Sequence, residues 1–436
     1  MAANIFTGAT DSNWGTATNW STGAVPTGAD GNVATFDASS PDCTVNSSNR
    51  VCHYLDMSAY ANKISGDTAN RMLSVYSTVT LGASMDNDSL SLSIRNTCTI
   101  TFNTYEWKGT VIFGLGGAGI TYTLADDIAM YTWTQINGSS TFTGTKNIYI
   151  RNNITCETSC FSANCVCNLI GVNQTINAST GYGFIIPIVM NISGTLTITN
   201  TTVGTGVTHL HSFTETAGTI DDSGCRVWFS SNAAITAGAT LDTSHKWNSI
   251  IVGSSVGGST SVTLNDTLNA STLQIGGSDG STSMIGTDGF NVDNLVLNLI
   301  GSGYYTGRYI ALKSGNTYVV NTSIVVNSNT DWKYNRMMFI STTATSSAIL
   351  NLGVNCWMDV SGIQITDIDC SGGKTMKVLR ASLTRTTNIT NYTTWYFADE
   401  LPAVADVKTG TTYGDARGTV FTGTLASGGG AMAIMT

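Results

Sequence analysis

Apolar and polar residues alternate with period two along most of this chain. Leu273/Ile275, Leu295/Leu297 and Val262/Leu264 are clear instances between Ser249 and Ser314. Such alternation predicts strands with one buried face. Written in blocks of 22, the same stretch aligns two apolar columns: Ile251, Leu273 and Leu295, and Leu268, Phe290 and Leu312. One strand per block, with Gly, Ser, Asn and Asp between, predicts a coil whose turns stack on each other. Each turn is too thin to bury its own apolar face, so stability must come from its neighbours.

The pattern extends well beyond that stretch. Ser91–Ile94, Thr110–Leu115, Asn147–Ile150, Thr195–Thr199 and Arg226–Phe229 read as strands, and no useful length has helical periodicity. The predicted class is all-β: a β-solenoid, read as a right-handed parallel β-helix. Three segments are expected: an N-terminal cap or anchor over 1–60, the solenoid over 61–400, and a C-terminal module over 401–436 ending in Gly-rich apolar residues.

Composition sharpens this picture. Charged residues are 11% of the 436, hydrophobic residues 42%, and Gly numbers 46 against 4 Pro. Patterned apolar content excludes disorder. A net charge of −9 without any basic run argues against nucleic acid, which demands clustered Lys and Arg. The first residues lack a charged n-region and an apolar h-region, so the expectation is a protein made in the cytosol without a signal peptide. No apolar run reaches the ~20 residues of a membrane span. The ten cysteines are expected to be free, as buried small hydrophobes.

Trp14 and Trp20 bracket a polar loop, Pro26 marks a turn, and Phe36 follows a short strand. These four are the candidate capping, anchoring or interface residues. The opening pattern carried by Trp14, Asn19, Trp20, Gly23, Pro26, Asp30, Phe36, Asp37, Cys52, Leu55 and Asp56 resembles that of bacteriophage virion proteins of the β-solenoid type. Leu73–Met85, Arg336–Gly373 and Asn388–Phe397 are similar to later stretches of the same kind of protein, and the tail from Pro402 looks like a C-terminal module of phage structural proteins. The resemblance implies a non-enzymatic virion component (a decoration, head-fibre or tail-fibre protein) made in the host cytoplasm. It further implies a homotrimer, with surface aromatics such as Tyr304, Tyr305 and Trp357 needing cover. Capsid or tail proteins and a host-surface glycan would be its partners, with no cofactor.

The alternative within that resemblance is a tailspike-type polysaccharide depolymerase, a hydrolase or lyase. Hydrolysis of this kind needs two carboxyls at a definite separation. Candidate pairs are Asp126/Asp127, Asp221/Asp222 and Asp367/Asp369. Adjacent strand residues point to opposite faces, which leaves Asp367 and Asp369 as the pair expected to share one. Only 4 of the 28 acidic residues are Glu, so most carboxylates read as corner Asp. His209 and His211 flank Leu210 as two metal ligands would, but read as exposed strand histidines. Cys156, Cys160, Cys165 and Cys167 match no zinc spacing and read as packing thiols. No metal site is predicted. Gly114–Gly119 reads as a turn, and recurring Asn and Thr as ladders along the stack.

Overall fold

The computed structural model describes residues 3–29, 31–68, 71–117, 119–162, 164–179, 183–201, 206–229, 239–253, 258–276, 280–299, 309–328, 337–361, 363–379, 381–392, 412–414 and 420–422. Among them the only helical turn is Ala17–Asn19, and strands make up the rest of the regular structure. The strands pair in parallel, each with the strand one turn further on, in a β-solenoid of about 13 turns. The chain divides into two compact units, Met1–Ile251 and Val252–Thr436.

In the first unit one sheet begins with Ala3–Ile5, Val33–Thr35, Tyr54–Asp56, Val79–Thr80 and Cys98–Thr101. It continues through Ile120–Leu124, Ser140–Thr143 and Cys160–Phe161 to Gly183–Ile185, Val207–Leu210 and Arg226–Phe229. A second sheet runs beside it from Arg50–Cys52 through Leu90–Ile94 and Ile128–Gln135 to Phe213–Asp221. Cys43–Val45, Lys63–Gly66 and Asp86–Asp88 form a short third face in the early coils. The alternation read from sequence is the packing: in Ile120–Leu124, Ile120, Tyr122 and Leu124 are buried while Thr121 and Thr123 look outward. Inside, Trp133 packs against Phe113, Phe142 and Phe184, with ring centroids 4.4, 4.8 and 5.2 Å away. Offset and edge contacts of this kind add to the burial of large rings.

The N-terminal end of the first unit closes on itself. The outer edge of Ala3–Ile5 would expose unpaired backbone groups, a template for unwanted strand addition. Here the segment 19–24 covers it: Ser21 donates its backbone N–H to the Ile5 carbonyl at 2.9 Å, and Thr7 donates to Asn19 at 2.7 Å. The Asn4 amide donates to the Ala24 carbonyl at 2.7 Å. Beneath this cover Trp14, Trp20, Phe6, Phe36 and Tyr60 form one buried aromatic cluster, and the Trp20 indole N–H reaches the Trp14 carbonyl at 2.8 Å. The strands of residues 3–60 are thus the first rungs of the coil.

In the second unit the 22-residue interval is real but brief. Leu268 is in register with Phe290, and Leu273 with Leu295; Gly258 likewise meets Gly280. One turn later the spacing widens. Leu295 meets Ile324, 29 positions on, and Met284 meets Leu312, 28 positions on. Leu312 therefore lies in the other sheet and not in a column with Leu268 and Phe290, a correction to the column drawn from sequence. The interval changes while the parallel pairing continues. Tyr304 and Tyr305 fall outside the described residues, and Trp357 is half-buried. Of the expected C-terminal module over 401–436, the described residues are one antiparallel pair, Thr412–Gly414 with Val420–Thr422.

Candidate functional site

In each expected carboxylate pair at least one member bonds to a neighbouring coil, while Asp221 and Asp369 bond within their own turns. Asp126 accepts backbone N–H groups of Phe102 (2.9 Å) and Asn103, one coil back. Its neighbour Asp127 accepts from the backbone and side-chain amides of Asn147, one coil forward, at 2.8 and 3.1 Å. The two adjacent carboxylates thus point in opposite directions along the stack. Asp221 accepts the hydroxyl and N–H of Ser223, which hold its carboxyl below the usual range.

Asp367 and Asp369 do not share a face as the alternation suggested. Asp367 is at a corner with φ of 56° in the left-handed region, so period two does not run across it. Its buried carboxylate takes a two-pronged bond from Arg385, at 2.6 and 2.7 Å, and the guanidinium holds its pKa low. Asp369 begins the next turn by accepting the Ser371 N–H at 2.8 Å.

The richest polar cluster is one that sequence reading only half identified. Glu215, in the strand Phe213–Asp221, accepts three bonds on one oxygen: from the Thr243 hydroxyl (2.7 Å) and from the N–H groups of Ser244 (3.1 Å) and His245 (3.2 Å). Asp222 sits just past the end of that strand. One of its oxygens lies 3.3 Å from His245 Nε2, and the other accepts the Asn248 N–H at 2.8 Å. The Asp222 side chain is 5% exposed and that of His245 18%.

A carboxylate that orients an imidazole is half of a nucleophile–base–orienter set. Among the described residues no serine or cysteine side chain is hydrogen-bonded to the His245 ring. Glu215 through one oxygen and Asp222 through both hold the segment 243–248, Glu215 from within the strand Phe213–Asp221 and Asp222 from just past its end. The cluster works as a clamp on that turn. Neither Glu215 nor His245 stood out in the sequence, because the partners of each lie one coil away.

His209 and His211 are buried, at 8% and 2% exposure, which corrects the reading of exposed strand histidines. The His209 ring lies against Trp228 with centroids 4.6 Å apart, and burial pushes its pKa down to about 4. Neutral imidazoles can be metal ligands, but no group of three His, Cys, Asp or Glu among the described residues could hold an ion. All ten cysteines are free and buried. Burial, and then the nearby Cys156 thiol, push the Cys160 thiol well up; burial does the same to Cys167. Such thiols are packing groups with little nucleophilic thiolate. The anchoring candidates Trp14, Trp20, Pro26 and Phe36 all lie buried within their own chain.

A regular device ties these corners together. Asp42, Asn49, Asn87, Asp127, Asn153 and Asn173 each accept a backbone N–H from a residue 20 to 23 positions later, one coil on. Side-chain ladders join it: the Asn168 amide donates to Asn147 at 3.2 Å, and Asn321 to Asn291 at 3.0 Å. The expected asparagine ladders exist, and they extend to corner carboxylates.

No protein-family model matches the chain, no curated protein matches it, and no solved structure matches it. The fold and its polar corners define a parallel β-solenoid.

Proposed function

We propose that this protein is a non-enzymatic structural component of a bacteriophage particle, displayed on the virion surface as a decoration, head-fibre or tail-fibre protein. The observation that carries the structural part of this reading is the use of the candidate carboxylates. Asp126, Asp127, Asp222 and Asp367 each bond to a backbone N–H or a cation contributed by a residue 18 to 26 positions away, which commits at least one member of every candidate pair to the stack. The phage part rests on the resemblance of the Trp14–Asp56 and Arg336–Gly373 stretches. A stacked coil with few charged residues suits a displayed particle component, assembled as a homotrimer on capsid or tail proteins, with a host glycan as a further contact.

The test is imaging of intact particles labelled at Thr436, alongside a polysaccharide-cleavage assay with the purified chain. Label on the head or the tail, with no sugar released, is the expected result. Particles without label would overturn the virion assignment, and released oligosaccharide would overturn the non-enzymatic part.

A further inference from the structure

Cys156, Cys160, Cys165 and Cys167 fall close together in the first unit, and all are buried. Cys156 ends the strand Ile154–Cys156 of one sheet, and Cys160 opens Cys160–Phe161 of the other. The corner between them is Glu157, Thr158 and Ser159. Register shows how the two side chains stand. Gln135 pairs with Cys156, and Ser140 with Cys160. In that earlier coil the Gln135 amide donates to the Ser140 hydroxyl across the corner at 2.9 Å. The two cysteines occupy the same inward places one coil on, and the Cys160 thiol is bonded to that of Cys156. Cys165 is engaged elsewhere, its thiol donating to the Gly144 carbonyl at 3.4 Å. Cys167 lies near Cys156 on the strand Val166–Leu169.

Packing does not require sulfur at this corner, since Ala178 fills the place in register with Cys156 one coil later. A disulfide needs two β-carbons that face each other, and thiols in contact across a corner already meet that need. We propose that Cys156 and Cys160 form a redox latch, closed as a disulfide when the chain folds in an oxidising milieu and left open when it folds in a reducing one.

The oxidant is a low-molecular-weight disulfide such as oxidised glutathione. The Cys156 thiolate attacks one of its sulfurs and expels one glutathione, leaving a mixed disulfide. The Cys160 thiolate then attacks the Cys156 sulfur and expels the second glutathione. The pair gives up two protons and two electrons, and one glutathione disulfide becomes two thiols. The exchange belongs to folding, before the corner closes. In the folded chain burial keeps the Cys160 thiol protonated and unreactive. Burial also shields the finished bond from reductants, so the coil stores the redox state under which it folded. The closed latch ties the two sheets together at that corner. This inference stands independently of the virion assignment.

The experiment refolds the full chain in reduced or in oxidised glutathione and keeps the product with native circular dichroism. Each product is denatured, treated with iodoacetamide and digested with chymotrypsin for mass spectrometry. The peptide Ile150–Phe161 holds these two cysteines and no others. It should carry two labels from the reduced product. From the oxidised product it should be unlabelled and lighter than the dithiol by two hydrogens. Dithiothreitol should leave the latch closed in the native oxidised chain and open it after unfolding. In Cys160→Ala, Cys156 should take the label in both products. A native oxidised product with Cys156 and Cys160 both labelled would overturn the proposal, as would Cys156 joined to Cys167. Opening of the native latch by dithiothreitol would overturn the storage of the folding state. For a chain that does not refold, the same masses, read on protein exported to the oxidising periplasm of an expression host, decide the matter in the same way.

Discussion

The buried His209 makes the first unit acid-sensitive in a way that can be isolated. Its pKa falls from an ordinary 6.5 to about 4 in the folded protein because burial disfavours the imidazolium. The folded chain therefore binds fewer protons than the unfolded chain between those values, and stability rises with pH across that window. The contribution is fully present above pH 6.5, is lost progressively as pH falls, and is exhausted just below 4. Between pH 7.5 and 4.5 linkage gives a loss of about 2.5 kcal/mol from this one group. Carboxylates such as Asp367, whose pKa is also depressed, add their own loss at lower pH, so the wild-type profile alone is not diagnostic. His209→Phe preserves the ring against Trp228 and removes the titration. Urea unfolding monitored by tryptophan fluorescence at pH 7.5, 6, 5 and 4.5 should show the natural chain losing about 2 to 3 kcal/mol more than the variant. Parallel pH profiles for the two proteins would refute the assignment of the buried neutral imidazole.

Further outcomes follow from the caps and corners. Asn19→Ala should destabilise the N-terminal cap by about 1 to 3 kcal/mol in chemical unfolding. The fully buried amide serves the N–H groups of Thr10 and Asp11 and the Asn13 carbonyl, and these would be left unpaired. Trp14→Ala should remove about 3 to 5 kcal/mol from the same end, and dynamic light scattering should then report association through the opened strand edge. Asp367→Asn should lower the melting temperature of the late coils by a few degrees and flatten its dependence on pH below about 4, since the Arg385 pair holds that carboxyl ionised. Native protein should resist maleimide labelling at all ten cysteines and accept it at all ten once unfolded; rapid labelling of Cys156 or Cys160 in the native state would contradict the packing described for them.

The fold was legible because a solenoid writes its architecture locally. Alternation in Leu268–Ile275 and Phe290–Leu299 names the inward face, and the repeat names the partner one coil on. The interval failed one turn later: Met284 pairs with Leu312, 28 positions on, and alternation says nothing of how many residues separate successive strands. The same limit explains Asp367. A residue at positive φ ends the period-two rule at its own position, so two aspartates separated by one residue no longer share a face. His209 shows a different limit: it occupies an outward place in the alternation, and the Trp228 ring that helps to cover it comes from the next coil.

The polar site was less legible than the fold for a physical reason that bears on function. In a stacked coil every corner leaves backbone N–H groups facing along the stack, and an unpaired buried donor is costly. An Asp or Asn one coil away answers that need, which places acidic residues at regular intervals on the rim, where an enzyme of similar architecture would also place them. Sequence alone records the acid and not its partner. The partners become visible only in the fold. Asp222 binds His245 through one oxygen and the Asn248 N–H through the other, and Asp127 divides its two between the backbone and side chain of Asn147. Each of these two carboxylates thus joins its own coil to a residue 20 to 26 positions on, which is the service a stacked coil asks of its corners.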